Sequence, residues 1–151
     1  MILSTTRYGA LSVDETQFVE FPEGLPGFED CRRFAAFEHG ECAGLIILQS
    51  LERPDLSFVT LPVRSLRPEY GLRLTPEDAA LLGLPDDRPP RIGSEVAAMA
   101  ILCLREGQPP TANLLSPIVV RIDTGRAVQA IRPDNRYGCR EPLALEEAAC
   151  W

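Results

Sequence analysis

The residues in this sequence that could do chemistry are mainly adjacent carboxylates. Paired carboxylates are the groups that general acid–base catalysis uses. Here the pairs fall in segments rich in turn residues, where charged side chains are ordinarily solvated. We therefore interpret them as an acidic loop surface, and they are Asp14–Glu15, Glu29–Asp30, Glu77–Asp78, Asp86–Asp87 and Glu146–Glu147.

The single histidine and the cysteines do not form a recognisable site. His39 precedes Gly40 and Glu41 in a predicted turn, so we expect it to be solvated. The cysteine count is odd, and no two cysteines have CxxC spacing, which argues against a zinc cluster or a redox motif. We predict free thiols, no disulfide and no bound metal, as is typical of a reducing cytosol, for Cys31, Cys42, Cys103, Cys139 and Cys150.

Known catalytic motifs are also missing from the sequence. It contains no Ser/His/Asp set in motif context, no HExxH, no P-loop and no GxGxxG between a strand and a helix. We predict that the protein is not an enzyme and needs no cofactor. The alternative is a constellation that local motifs do not reveal, such as a pocket gathering His39 with a cysteine or carboxylate.

Charge narrows the classes of partner. The net charge is −7 over 151 residues, and every basic residue is arginine. Nucleic-acid binding needs clustered cations, so a small RNA-binding barrel is disfavoured, whereas a basic protein surface would be attracted. No apolar run approaches the length of a membrane helix and no signal peptide begins the chain. We expect a cytoplasmic protein with no direct nucleic-acid or membrane partner.

A proline- and glycine-rich stretch, residues 21–30, organises the rest of the chain, and we call it the Pro/Gly corner. Pro22 and Pro26 remove N–H donors, and the glycines permit backbone angles that other residues avoid. Its apolar residues suit a core better than solvent. We predict a rigid turn with positive φ at Gly24 or Gly27 and with Phe21, Leu25 and Phe28 largely buried. A partner-binding edge is the alternative.

Short strands separated by turn signals fill most of the sequence. A helix is predicted at about residues 76–82, with Thr75 as N-cap, Pro76 at the first position and Gly83 as the left-handed stop. We expect one domain over residues 1–145 and a short tail at 146–151. The predicted fold is mainly β: an antiparallel, barrel-like structure with one short helix. The predicted strands cover residues 1–8, 17–21, 33–38, 45–50, 56–61, 95–104, 111–115, 118–122 and 127–131.

Four segments, in order, resemble the FliW family of flagellar assembly factors. Each is weakly specific alone, but together they span nearly the whole chain. One departure is Ser116, where many relatives have Ala before the Pro. The segments are residues 21–29, residues 48–50 with 56–59, residues 111–118, and residues 128–131 with 137–143. The motif residues that the resemblance marks as structural are Phe21, Gly24, Leu25, Pro26, Gly27, Gln49, Ser50, Asn113, Pro117 and Gln129.

The resemblance implies a regulator with two protein partners. FliW proteins bind CsrA, a small basic RNA-binding protein that represses flagellin translation, and they also bind flagellin before its export. The family fold is a small antiparallel barrel-like β structure. We expect this chain to antagonise CsrA allosterically, to bind cytosolic flagellin in a chaperone-like way, and to be monomeric when free. The alternative is an acidic β module with other partners.

The candidate partner-binding residues are acidic ones beside apolar or aromatic neighbours. In such pairs a desolvated anchor carries the affinity and the charge raises the association rate. This criterion selects Phe28, Glu29, Asp30, Glu69 and Tyr70.

Overall fold

The computed structural model describes residues 1–38 and 44–143. Within them the chain is mainly β, with two short α-helices and one 3-10 turn at Glu15–Gln17. No helix in these residues is both long and apolar enough to cross a bilayer. The strands are β1 (Ile2–Thr5), β2 (Gly9–Ser12), β3 (Phe18–Glu20), β4 (Arg33–Glu38), β5 (Ile46–Ser50), β6 (Ser57–Pro62), β7 (Val96–Cys103), β8 (Thr111–Ala112), β9 (Ile118–Arg121), β10 (Ala127–Gln129) and β11 (Glu141–Pro142), and the helices are α1 (Val63–Leu66) and α2 (Pro76–Leu82).

The main sheet is antiparallel and curls toward a barrel without closing. Its strands lie in the order β10-β9-β7-β6-β5-β4-β3. The short strand β8 pairs with β7 on one side and with β11 on the other. A single parallel bridge joins the two ends of the sheet, between Glu20 of β3 and Arg126, which directly precedes β10. The mainly β antiparallel prediction is confirmed, and the seam between β3 and β10 stays open beyond that bridge.

The first predicted strand is divided in the structure. Residues 1–8 were expected to be continuous, but β1 ends at Thr5 and pairs with β2 as a separate two-stranded sheet. The Thr5 hydroxyl accepts a hydrogen bond from the Tyr8 amide and donates one to the Gly9 carbonyl, which closes the turn. This local side-chain chemistry competes with strand continuation.

Both faces of the central strands are buried, as their alternating apolar residues predict. On β7, Val96, Ala98 and Ala100 face one hydrophobic cluster, and Met99 and Ile101 face another. The first cluster, the helix-side core, also takes in residues of α1 and α2. The second, the corner-side core, gathers strand residues with apolar side chains of the Pro/Gly corner, so the corner covers one face of the sheet.

Helix α2 is confirmed with its predicted bounds. The Thr75 hydroxyl accepts from the Asp78 amide at 3.2 Å, and Gly83 has φ of 68°. Two arginines from the β9–β10 hairpin bind the last carbonyls of the helix: Arg121 donates to Leu82 and Gly83, and Arg126 donates to Leu81. Cations are favoured at the C-terminal end of a helix because of the helix dipole. These contacts hold α2 beside β10.

The expectation of a single helix is wrong, because α1 directly follows β6. Its N-cap, Pro62, makes no side-chain capping bond, so no local start signal marks this helix. Val63 and Leu66 are buried in the helix-side core. A helix of one turn has little stability alone, so packing rather than propensity determines it.

Candidate protein-binding cleft

The Pro/Gly corner is a tight, hydrogen-bonded turn. Phe21 is 0% exposed and Leu25 is 2% exposed, in the corner-side core. Gly24 and Gly27 have φ of 71° and 87°, so the predicted positive φ occurs at both. A Cβ on Gly24 would lie 2.5 Å from the Glu29 carbonyl oxygen, whereas one on Gly27 would have no neighbour within 4 Å. Only Gly24 is therefore also required for close backbone approach.

Phe28 is less completely buried than Phe21 and Leu25, and it packs against the corner-side core as a partly buried residue. Its ring packs edge-on against Phe58 with centroids 5.8 Å apart. The Arg53 guanidinium carbon lies 5.9 Å from the Phe28 ring centroid. One side of this ring is thus core and the rest is accessible.

A cleft of about 250 Å³ lies between the Pro/Gly corner, α2 and β10. Glu23 and Glu29 from the corner and Asp78 from α2 supply three carboxylates to its lining. Burial raises the pKa of Asp78 above its ordinary value, and the nearby charges of Glu77 and Glu23 add to the rise. The other lining residues are apolar or uncharged: Gly24, Pro26, Leu81, Ala127, Val128 and Gln129. We call this site the acidic cleft.

A smaller cleft of about 170 Å³ lies on the other side of α2, between residues 72–74 and 85–90. It also carries two carboxylates, Asp86 and Asp87, but Arg73 and Arg88 line it with them. Its charges are mixed, whereas the lining of the acidic cleft contains no cation. Of these two clefts, the acidic cleft is the better match to a basic ligand.

The structure separates the predicted partner-binding residues. Glu29 lines the acidic cleft, and Asp30 beside it is exposed. Glu69 is also exposed, but it does not line the acidic cleft. The binding roles of Phe28, Glu29, Asp30 and Glu69 stay predictions.

The predicted exposure of Tyr70 at a binding surface is wrong. Tyr70 is 0% exposed, so it cannot present its ring to a partner in this conformation. Its hydroxyl donates a 2.7 Å hydrogen bond to the Leu114 carbonyl. Its ring stacks on Tyr137 with centroids 4.7 Å apart. The sequence predicted a surface anchor because Tyr70 follows the acidic Glu69, but tertiary packing places Tyr70 in the helix-side core.

Tyr70 belongs to a buried arginine cluster that the sequence analysis missed. The guanidinium of Arg132 lies 4.8 Å from the Tyr70 ring centroid and 5.1 Å from that of Tyr137. It donates to both carboxylate oxygens of Asp134, at 2.8 and 2.9 Å, and to the Gly71 carbonyl. These bonds lower the pKa of Asp134. The cluster ties residues 70–71 to residues 132–137, and only the Arg132–Asp134 spacing hinted at it.

The polar motif residues mostly hold turns. Gln49 and Ser50 are fully buried at the end of β5. The Gln49 amide nitrogen donates to the carbonyls of Arg53 and Pro54, and the Ser50 hydroxyl accepts from two amides of the same loop. Both side chains thus support the β5–β6 hairpin.

The later motif residues support the crossing between β8 and β10. The Asn113 side chain accepts from the Ser116 amide at 2.9 Å, and Gln129 donates to the Ser116 carbonyl at 3.2 Å. The carbonyl of buried Pro117 accepts from the Ala130 amide. Gln129 is both structural and part of the acidic cleft, as are the motif residues Gly24 and Pro26.

Cys31, Cys103 and Cys139 are free. Burial raises the pKa of the Cys31 thiol, with a further contribution from Asp30. Cys42, Cys150, His39 and the predicted 146–151 tail lie outside the described residues. The five-thiol prediction and a site built on His39 therefore stay untested. In the ranges 1–38 and 44–143, no three His, Cys, Asp or Glu side chains converge as a metal site.

These features define a small, acidic, mainly antiparallel β protein with a carboxylate-lined cleft at the seam of its sheet. A sequence model of the FliW protein family matches residues 2–143. The flagellar assembly factor FliW of Desulfitobacterium hafniense is 36% identical over 150 residues, covering 99% of this chain and 95% of the relative. The flagellar assembly factor FliW of Bdellovibrio bacteriovorus is 34% identical over 143 residues, with coverage of 95% and 79%.

A crystal structure of the flagellar assembly factor FliW has the same fold. It matches with a TM-score of 0.80 at 28% identity and covers 97% of this chain and 99% of that one. The chain belongs to the FliW family.

Proposed function

We propose that this protein is a flagellar assembly factor that acts in the cytoplasm by binding two proteins, CsrA and flagellin. Support comes from the family, whose similar members bear the name flagellar assembly factor. The two partners follow from the family resemblance of the four motif segments. Binding to CsrA relieves repression of flagellin synthesis, and flagellin that accumulates in the cytosol occupies the protein and frees CsrA to repress again.

The observation that carries this proposal is the acidic cleft on a chain of net charge −7. CsrA must hold RNA phosphates and is therefore basic, so opposite charges draw the two proteins together. The apolar part of the lining, such as Leu81 and Pro26, offers a surface that excludes water from the contact. Partly desolvated carboxylates beside apolar surface give stronger interactions than freely solvated ones.

We further propose that the protein weakens RNA binding by CsrA without occupying the RNA site. The carboxylates of the acidic cleft come from two separate segments, residues 23–29 and helix α2, and lie beside apolar lining residues. The chain is thus a binding protein in this proposal, and catalysis has no role in it.

The decisive experiment is a titration of the purified protein with CsrA and with flagellin from the same cell. We expect each to bind, and we expect flagellin to release CsrA. Raising the concentration of a flagellin leader RNA should lower the affinity for CsrA to a finite plateau. Complete displacement by RNA would show competitive mimicry and would refute the allosteric part. Absence of binding to both proteins would refute the proposed function.

A further inference from the structure

We infer that the open seam of the sheet binds an extended segment of a protein partner that carries arginine or lysine side chains. The segment pairs with the free edge of β10 at Gln129 and with the continuation of that edge at Ile131, and it directs its basic side chains to the carboxylates of the acidic cleft. This inference rests on the proposed function, because the partners in question are CsrA and flagellin.

The residues that follow β10 continue its antiparallel pairing, now with the residues that precede β9. The Ala130 amide donates to Pro117 and the Arg132 amide donates to Leu115, at 2.9 and 3.0 Å. In an antiparallel pair, alternate residues point their backbone groups away from the neighbouring strand. The N–H and C=O groups of Gln129 and Ile131 therefore point away from β9. Among the described residues, no strand pairs with β10 on that side beyond the Glu20–Arg126 bridge.

The seam is open because β3 leaves it after one bridge. Glu20 donates to the Gly125 carbonyl, while the Phe21 amide faces the opposite neighbour and donates to Arg32 at 2.7 Å, which continues the pairing with β4. Pro22 has no N–H with which to continue the pairing, and the chain then turns at Gly24. The lane beside β10 that β3 would have filled becomes part of the acidic cleft, which Val128 and Gln129 line.

The shape and charge of this lane select its occupant. Small-molecule sites usually measure about 300–1,000 Å³. The acidic cleft, at about 250 Å³, is smaller and suits one or two side chains. Its three carboxylates have no cation in the lining, and Leu81 can contact the aliphatic stem of an arginine or lysine. Ile131, two residues beyond Gln129, is 59% exposed and offers an apolar contact at the far end.

An unpaired strand edge is a template for another strand, and strand addition is a common mode of peptide binding. Here the edge supplies backbone hydrogen bonds and the cleft supplies the preference for basic side chains. This combination specifies both the conformation and the charge of the bound segment.

The test uses the whole protein with purified CsrA and purified flagellin, and measures affinity and amide hydrogen exchange at residues 128–131. With at least one partner, exchange at Gln129 and Ile131 should slow on binding. Ile131→Pro removes one outward N–H while leaving the pairing with β9, since proline is tolerated on edge strands. We expect this variant to lower the affinity for that partner by about fivefold or more, which is the effect of losing one backbone hydrogen bond. Ile131→Ala keeps the N–H and should change the affinity by less.

A charge-matched pair of variants tests the cleft. The cleft variant combines Glu23→Gln, Glu29→Gln and Asp78→Asn. The control variant removes the same net charge elsewhere and combines Asp86→Asn, Asp87→Asn and Glu106→Gln. We expect the cleft variant to lower the affinity for the same partner clearly more than the control does. If the wild-type protein binds a partner while amide exchange is unchanged and both comparisons show no difference, the seam inference is wrong and the proposed function stands. If the wild type binds neither protein, both fail.

Discussion

Gly24 is the residue on which the Pro/Gly corner depends most. It combines φ of 71° with a backbone contact that leaves no room for a Cβ. We expect Gly24→Ala to lower the free energy of unfolding by about 2 kcal/mol or more, because strain and steric overlap add. Gly27→Ala is the matched control, since it has positive φ but open space, and it should cost about 1 kcal/mol. Urea denaturation measures both, and equal losses would contradict the close-approach argument.

Phe21 and Phe28 test how much of the corner is core. Phe21 is fully buried against Phe34, so Phe21→Ala should cost about 3–5 kcal/mol. Phe28 is half-buried, and Phe28→Ala should cost clearly less. Thermal or urea unfolding of the two variants checks the order. A larger loss at Phe28 would mean that its ring is a core anchor in solution.

At the scale of elements, the connection between α2 and β7 is held by one carboxylate. Both nitrogens of the Arg88 fork donate to Glu95, at 2.6 and 2.8 Å, and the Arg91 amide donates to it at 2.9 Å. These bonds lower the pKa of Glu95 from 4.5 to about 2. The residues between α2 and β7 are thus closed into a loop by a charge-assisted contact.

This contact predicts a specific pH dependence. Because the folded-state pKa of Glu95 is depressed, its contribution to stability is complete above pH 4.5 and is lost as the pH falls toward 2. The stability difference between the wild type and Glu95→Gln should therefore shrink across that window. Melting curves at several pH values measure the difference, and Glu106→Gln is the control. A difference that is constant with pH would refute the assignment.

At the scale of the whole molecule, the net charge of −7 should govern how fast CsrA associates. We expect Glu69→Arg to slow association most at low ionic strength, because the Debye length shrinks to about 10 Å at 0.1 M salt. Glu106→Arg makes the same change in net charge at another exposed turn. Stopped-flow kinetics at several salt concentrations measure both. Association that is indifferent to salt would end the electrostatic account.

Much of the fold could be predicted because its signals are local. Apolar alternation located β4 and β7, and the Thr75 cap with Pro76 and Gly83 placed α2. The turn chemistry of the Pro/Gly corner predicted positive φ, and it occurs at Gly24 and Gly27. Each of these features depends on neighbours within a few residues of the chain, so composition and spacing were enough. The order of the four motif segments likewise identified the family.

Only the tertiary structure decided which residues meet. Glu69 and Tyr70 are adjacent in sequence, yet one is exposed and the other is buried beneath contacts from Leu114, Arg132 and Tyr137. Asp78 meets Glu23 and Glu29 because hairpin arginines hold α2 beside β10, and the cleft exists because β3 leaves the seam after one bridge. These contacts join residues from about 40 to more than 100 positions apart. Long-range packing determines these contacts, and local sequence propensity does not predict them.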